Sequence, residues 1–129
     1  MALHLDLVGL VVRDMAASLR FYRALGLDIP READGEAHVE WRTASGLRLA
    51  WDTLELIRSI DPGFADPPGG RIALAFLCGS PPEVDERYAA LTAQGFHGHK
   101  DPYDAFWGQR YAVLHDPDGN PVDLFAPLG

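Results

Sequence analysis

His97-x-His99 is the most direct hint of metal chemistry in the sequence, because a strand would hold both imidazoles on one face. No third acid or cysteine stands at a spacing that would complete a ligand set, so a pair of surface or loop-edge histidines is the commoner meaning of such a motif. Nucleophilic chemistry has less to work with. There is no Gly-x-Ser-x-Gly, no glycine-rich phosphate loop and no His-Glu-x-x-His. The one cysteine, Cys78, follows the apolar run Ile72 to Leu77 and reads as a small buried hydrophobe. What the chain offers instead is aromatic surface: Trp41, Trp51, Tyr103, Phe106, Trp107 and Tyr111. Trp41 and Trp51 lie in strand-like stretches, where core packing is the ordinary role, above all for Trp41. Tyr103, Phe106 and Trp107 lie in a loop-like stretch containing Pro102 and Gly108, where a stacking platform at a cavity mouth and ordinary loop anchoring are the two readings. Farther on, Asp123 and Phe125 alternate with Val122 and Leu124, so an acid and a ring share one face, available to a ligand.

The elements that must carry these residues follow from pattern. Val122 to Phe125 and Tyr111 to Leu114 are two apolar runs separated by Asp116-Pro117-Asp118-Gly119-Asn120, which predicts a β-hairpin. At the other end, Leu5 to Val12 predicts a strand, and Asp14 an N-cap for a helix from Met15 to Leu25 stopped by Gly26. Leu27 to Pro30 starts a short strand, Arg31 to Ala37 is a loop, and His38 to Arg42 and Leu47 to Trp51 are strands about the turn Ala44-Ser45-Gly46. Thr53 to Ile60 is a helical turn or two. The prolines and glycines from Asp61 to Gly70 exclude regular structure and mark a crossover. Arg71 to Leu77 is again a strand, and Ser80-Pro81-Pro82-Glu83 opens a second helix that ends at Gln94-Gly95. Phe96 to His99 is a strand and Lys100 to Phe106 a loop.

The grammar is therefore β-α-β-β-β written twice. The expectation is one α+β domain over residues 1–129, with module 1 at about 5–53, a crossover at about 54–70 and module 2 at about 71–127. Two such modules form curved sheets around a shared cleft.

Composition narrows the function classes. A chain of 129 residues, 47% hydrophobic, has material for a sizeable core. A net charge of −8 and one lysine, Lys100, argue against a phosphate backbone as partner and favour a neutral or cationic ligand. No run approaches the roughly 18 apolar residues of a membrane span. Met1 to Val12 lacks the basic start and cleavage site of an export signal. With a single cysteine as well, the expectation is a soluble protein of the reducing cytoplasm, without nucleic-acid or membrane partners.

The doubled pattern, Phe21-Tyr22 before Leu25-Gly26, and the Asp-Pro-Asp-Gly-Asn turn near the end resemble the vicinal oxygen chelate superfamily of glyoxalases and bleomycin-resistance proteins. That resemblance implies metal-ligand positions at Leu7, about Ala50, Ala73 and Asp123. Only the last is a ligand type, so the chain is expected to be a metal-free binder with no cofactor and no catalytic residue, and not an enzyme. Leu and Ala at these positions suit a larger, drier cavity for a flat organic ligand. The stretches Arg48 to Thr53, Phe106 to Tyr111 and Asp116 to Pro127, with Asp14 to Gly26, Ile29-Pro30 and His38, are most similar to the mitomycin-resistance branch. Its members lack the metal, form homodimers and sequester planar antibiotics. The resemblance implies ligand contacts for Trp107, with His38 nearby, and further contacts for Trp51 and Tyr103. With Phe106, Asp123, Leu7 and Ala73, these make up the expected ligand site. The ligand class stays open among mitomycins, quinoxaline-type peptides, bleomycins and anthraquinone-fused enediynes. Two other classes stay open as well: a metal-dependent lyase or dioxygenase with a relocated site using His97, His99 or Asp123, and an interaction module with an empty cavity.

Overall fold

A computed structural model describes residues 3–66, 69 and 71–129. Pro67, Pro68 and Gly70 of the expected crossover, and Met1 and Ala2, lie outside the described residues. The chain divides into two compact units, Met1–Pro67 and Pro68–Gly129. Both are α+β, each with one sheet.

The first unit contains strand β1 (Leu7–Val12), helix α1 (Met15–Leu25), a 3-10 turn (Arg31–Gly35), strands β2 (His38–Arg42) and β3 (Arg48–Thr53), and helix α2 (Leu54–Ile60). Helix α1 begins where its cap dictates: Asp14 accepts a hydrogen bond from the Ala17 amide at 3.0 Å. It stops at Gly26, whose φ of 128° few side chains tolerate and whose amide closes onto Tyr22 and Arg23 carbonyls. The buried face of α1 carries Met15, Leu19, Tyr22 and Leu25, spaced for one helical stripe. The sheet has the order β1-β3-β2, with β1 parallel to β3 and β2 antiparallel to it.

The strand expected at Leu27 to Pro30 does not form. Its backbone groups are spent locally instead. The Leu27 amide returns to the Tyr22 carbonyl, and the Arg23 guanidinium donates to the carbonyls of Ile29 and Pro30, both at 2.7 Å. Pro30 has no amide to offer a ladder. Leu27 and Ile29 are nevertheless buried, so the apolar alternation that suggested a strand reflects core contacts made by irregular chain. This unit is β-α-β-β, one strand short of the expected module.

The second unit carries the full β-α-β-β-β: β4 (Leu74–Leu77), α3 (Pro81–Ala93), β5 (His97–Ala105), β6 (Gln109–His115) and β7 (Pro121–Pro127), in sheet order β4-β7-β6-β5. Ser80 caps α3 through the Glu83 amide at 3.3 Å, while the Glu83 carboxylate reaches the Gly79 amide at 2.6 Å. Val84, Tyr88 and Leu91 of α3 are buried, as are Ala112, Leu114, Val122, Leu124 and Ala126 of β6 and β7.

The β6–β7 turn is built around Asp116. Its carboxylate accepts from the amides of Asp118 at 3.0 Å and Asn120 at 2.9 Å, and from the Asn120 side chain at 3.0 Å. Gly119 supplies the positive φ, 84°.

The loop expected over Lys100 to Phe106 is strand as far as Ala105. Two register shifts, between Gly98 and Lys100 and between Lys100 and Tyr103, each let β5 carry one residue more than β6 opposite it. Pro102 falls in the second bulge, where no ladder donor is required. The irregular segment shrinks to Phe106-Trp107-Gly108, a three-residue hairpin turn closed by the Gly108 amide on the Ala105 carbonyl at 3.0 Å, with Gly108 at φ 90°.

Candidate functional site

Cross-strand register decides which side chains meet on the second unit's sheet. Tyr103 lies opposite Tyr111, Tyr111 opposite Phe125, and Val113 opposite Asp123. Tyr111, Val113, Asp123 and Phe125 alternate with the buried Ala112, Leu114, Val122 and Leu124, so they occupy the face away from the core. At the Gln109 end of this face the rings gather. The Trp107 ring centroid stands 5.4 Å from Tyr111, 6.4 Å from Tyr103 and 5.0 Å from Phe106, all edge to face. Phe125 continues the cluster, stacked at 6.2 Å on Tyr111. Edge-to-face geometry lets the rings orient one another, while at so exposed a turn their contacts add little to the stability of the fold.

Trp107 is 48% exposed and Phe106 96% exposed, values that belong to a surface and not a core. The indole is oriented: its Nε1–H donates to Gln109 Oε1 at 2.8 Å, leaving ring surface open. Lys100 sets its ammonium 4.9 Å above the Tyr103 ring, a cation–π contact. Tyr111 donates its hydroxyl to Asp123. Burial first, and the Asp123 carboxylate second, push the Tyr111 phenol up to about 12, so it stays a neutral donor at physiological pH. The arrangement can stack a flat ring and present it with one carboxylate edge. Among the expected ligand residues, Trp107, Tyr103, Phe106 and Asp123 therefore belong to one face of one sheet. Ala73 is exposed, just ahead of β4, in the alternation that continues to Ala75 opposite Asp123.

The first unit has its own polar face. Leu7, Arg48, Ala50, Asp52, His38 and Glu40 alternate away from the α1 side of its sheet. His38 Nδ1 meets Asp52 at 2.5 Å and Nε2 meets Glu40 at 2.8 Å. Arg48 bridges Glu40 at 2.8 Å and Asp6 at 2.5 Å. The hydrogen bond to Glu40, then that to Asp52, raise the His38 pKa above its usual value, and His38 and then Arg48 lower that of Glu40. His38 thus sits in an ion network with its charged form favoured. Trp51 is elsewhere. It is wholly buried, edge to face with Tyr22 at 5.3 Å, and its Nε1 has no partner among the described residues. The half-buried Trp41 shares that side of the sheet, opposite Leu49. Strand alternation explains both: residues 49, 51 and 53 face the helix, and 48, 50 and 52 face away.

Two features extend the expected set of residues, the first legible in strand alternation and the second not. Phe125 joins the ring cluster through the Tyr111 register, a pairing that hairpin alternation alone could have suggested. His115 joins His97 and His99, and the nitrogens of the three lie within 4.8 Å of one another. Burial first, then the neighbouring imidazoles of His99 and His97, lower the His115 pKa.

The family model for the Glyoxalase/Bleomycin resistance protein/Dioxygenase superfamily matches residues 4–124, and the chain belongs to that superfamily. Among solved structures it is similar to a glyoxalase/bleomycin resistance protein/dioxygenase from Nocardioides, at 28% identity and TM-score 0.75, covering 99% of this chain and 85% of that one. A glyoxalase/bleomycin resistance protein/dioxygenase family enzyme from Burkholderia phytofirmans PsJN shares the fold at 22% identity and TM-score 0.82, covering 96% and 98%. Protein ATC0852 from Agrobacterium tumefaciens aligns at 26% identity and TM-score 0.75, covering 99% and 100%. No curated protein sequence matches the chain.

Proposed function

We propose that this protein binds a planar aromatic natural product and, by sequestering it, protects the cell that makes or meets it. One observation carries the reading: Trp107 is half exposed at a hairpin turn, yet fixed by Gln109 and flanked by Tyr103, Tyr111 and Phe106. An exposed, pre-oriented indole among other rings has little packing purpose and suits stacking on a flat ligand. Asp123, held by Tyr111, supplies an acceptor for a ligand amine or hydroxyl, in keeping with a net charge of −8. At the superfamily's metal-ligand positions Leu7, Ala50 and Ala73 offer no donor, so binding there proceeds without a metal. The same reading places the protein in the cytoplasm as a homodimer. His38 takes a ligand-contact role by resemblance to the mitomycin-resistance branch.

The test is tryptophan fluorescence titration with a panel of a mitomycin-type quinone, a quinoxaline peptide, a bleomycin and an anthraquinone. Stacking on an indole contributes on the order of 1–3 kcal/mol, so Trp107→Ala should weaken binding by roughly 5- to 150-fold while the melting temperature stays near that of the parent. A structural Trp would instead cost about 3–5 kcal/mol of stability. A variant that melts far lower, or that binds the panel unchanged, removes the stacking role.

A second reading draws on a separate observation. The approach of His115 to His97 and His99 favours a metal-dependent lyase or dioxygenase with a relocated site.

A further inference from the structure

At the opposite end of the same sheet face from the ring cluster, β5 and β6 converge on three imidazoles. His97 and His115 are cross-strand partners, their ring centroids 5.1 Å apart. A regular strand would carry residue 99 one step onward along the ladder. The bulge between Gly98 and Lys100 instead holds His99 over His115, with the rings stacked at 4.3 Å and 19°.

The strand is pinned in this position from behind. A Cβ on Gly98 would stand 2.2 Å from the Tyr88 hydroxyl oxygen, so Gly98 lies hard against α3 and its two histidine neighbours are turned outward. None of the three rings makes a hydrogen bond among the described residues, and the nearest acid in sequence, Asp116, has its carboxylate engaged by the turn amides of Asp118 and Asn120. Three imidazoles with unused nitrogens, held together by a bulge, have no structural purpose visible in the packing.

We propose that His97, His99 and His115 form a binding site for one late first-row divalent cation, of which Zn²⁺ is the type, with the fourth position open to water or to a ligand donor. The donor set selects the ion. Imidazole suits Zn²⁺, Ni²⁺ and Cu²⁺, whereas Mg²⁺ and Ca²⁺ take oxygen. Zn–N bonds of about 2.0–2.1 Å in a tetrahedron need donor atoms about 3.4 Å apart. The nitrogens, already within 4.8 Å of one another, reach that spacing by side-chain rotation, for which the exposed His97 and His99 are free. The site is separate from the positions that bind metal elsewhere in the superfamily, and it does not depend on the aromatic surface binding anything.

Co²⁺ and Zn²⁺ titrations of tag-free protein test it. Four-coordinate Co²⁺ bound to three imidazoles gives strong visible absorption saturating at one ion per chain and abolished by Zn²⁺; Co²⁺ on scattered surface histidines stays octahedral and pale. Zn²⁺ affinity, read by competition with a chromophoric chelator, should fall on the order of 100-fold in His115→Ala and equally in the exposed-site variant His99→Ala, and stay unchanged in His4→Ala. His99→Ala keeps the test open should His115→Ala fold poorly. A pale spectrum, or Zn²⁺ affinity indifferent to His99→Ala, overturns the site. Trp107→Ala should bind Co²⁺ as the parent does, so loss of drug binding and loss of metal binding are read separately.

Discussion

His38 holds two acids at once, Glu40 on Nε2 and Asp52 on Nδ1, and that double engagement works only while the ring carries both protons. Its pKa is raised, by Glu40 first and Asp52 second, so the stabilising pairing is fully present below the unfolded value near 6.5 and is lost as pH rises through the higher folded value. With the imidazole side chain 45% exposed, water screens most of the energy, and the effect belongs in the titration more than in the melting curve. Proton NMR of the His38 ring should therefore give a midpoint above 6.5, moving down in Glu40→Gln. A midpoint at or below 6.5 in the parent would mean that the network does not hold in solution. Arg48, which competes for the same Glu40 carboxylate, should keep Glu40 ionised through the whole range.

At the scale of elements, one small residue fixes a strand. Gly98 lies under Tyr88, whose hydroxyl is tied to Asp101 at 2.9 Å, so neither side of the contact yields easily. Gly98→Ala should cost about 1–3 kcal/mol, read as a lower denaturation midpoint, while Gly95→Ala is strained for a different reason, its φ of 92°. An unchanged midpoint for Gly98→Ala would show that β5 can lift off α3 at little cost. Elements with local punctuation were legible in the sequence. Asp14 and Gly26 bracket α1, Ser80 and Gly95 bracket α3, and Asp116 to Asn120 turns β6 into β7 at the expected residues. Elements decided by partners at a distance were not. Leu27 to Pro30 alternates like a strand, but Arg23 takes its carbonyls; Lys100 to Ala105 contains a proline like a loop, but two bulges admit it to the sheet. The candidate site divides the same way. Trp107 and Phe106 could be read from their place beside Gly108, whereas the closeness of His115 to His99 arises from a bulge that no local pattern announces.

For the whole molecule, the outer edges of β1 and β2 in one sheet and of β4 and β5 in the other have no strand partner among the described residues, and the proposed homodimer would cover such edges. Light scattering should report twice the chain mass of 14.1 kDa at micromolar concentrations, and a mass that stays at one chain across a wide range would refute the dimer. The pairing of first strand with last in each unit also has a consequence during synthesis. β1 finds its partner only when Arg48 to Thr53 has been made, and β4 waits for Pro121 to Pro127, whereas the β6–β7 hairpin closes over a five-residue turn. Loop closure favours short connections, so in the second unit the β5–β6 hairpin, with its three-residue turn, and the β6–β7 hairpin form first and β4 docks last. The first unit has every strand it needs once Thr53 leaves the ribosome, and can settle its sheet while the second is still being translated.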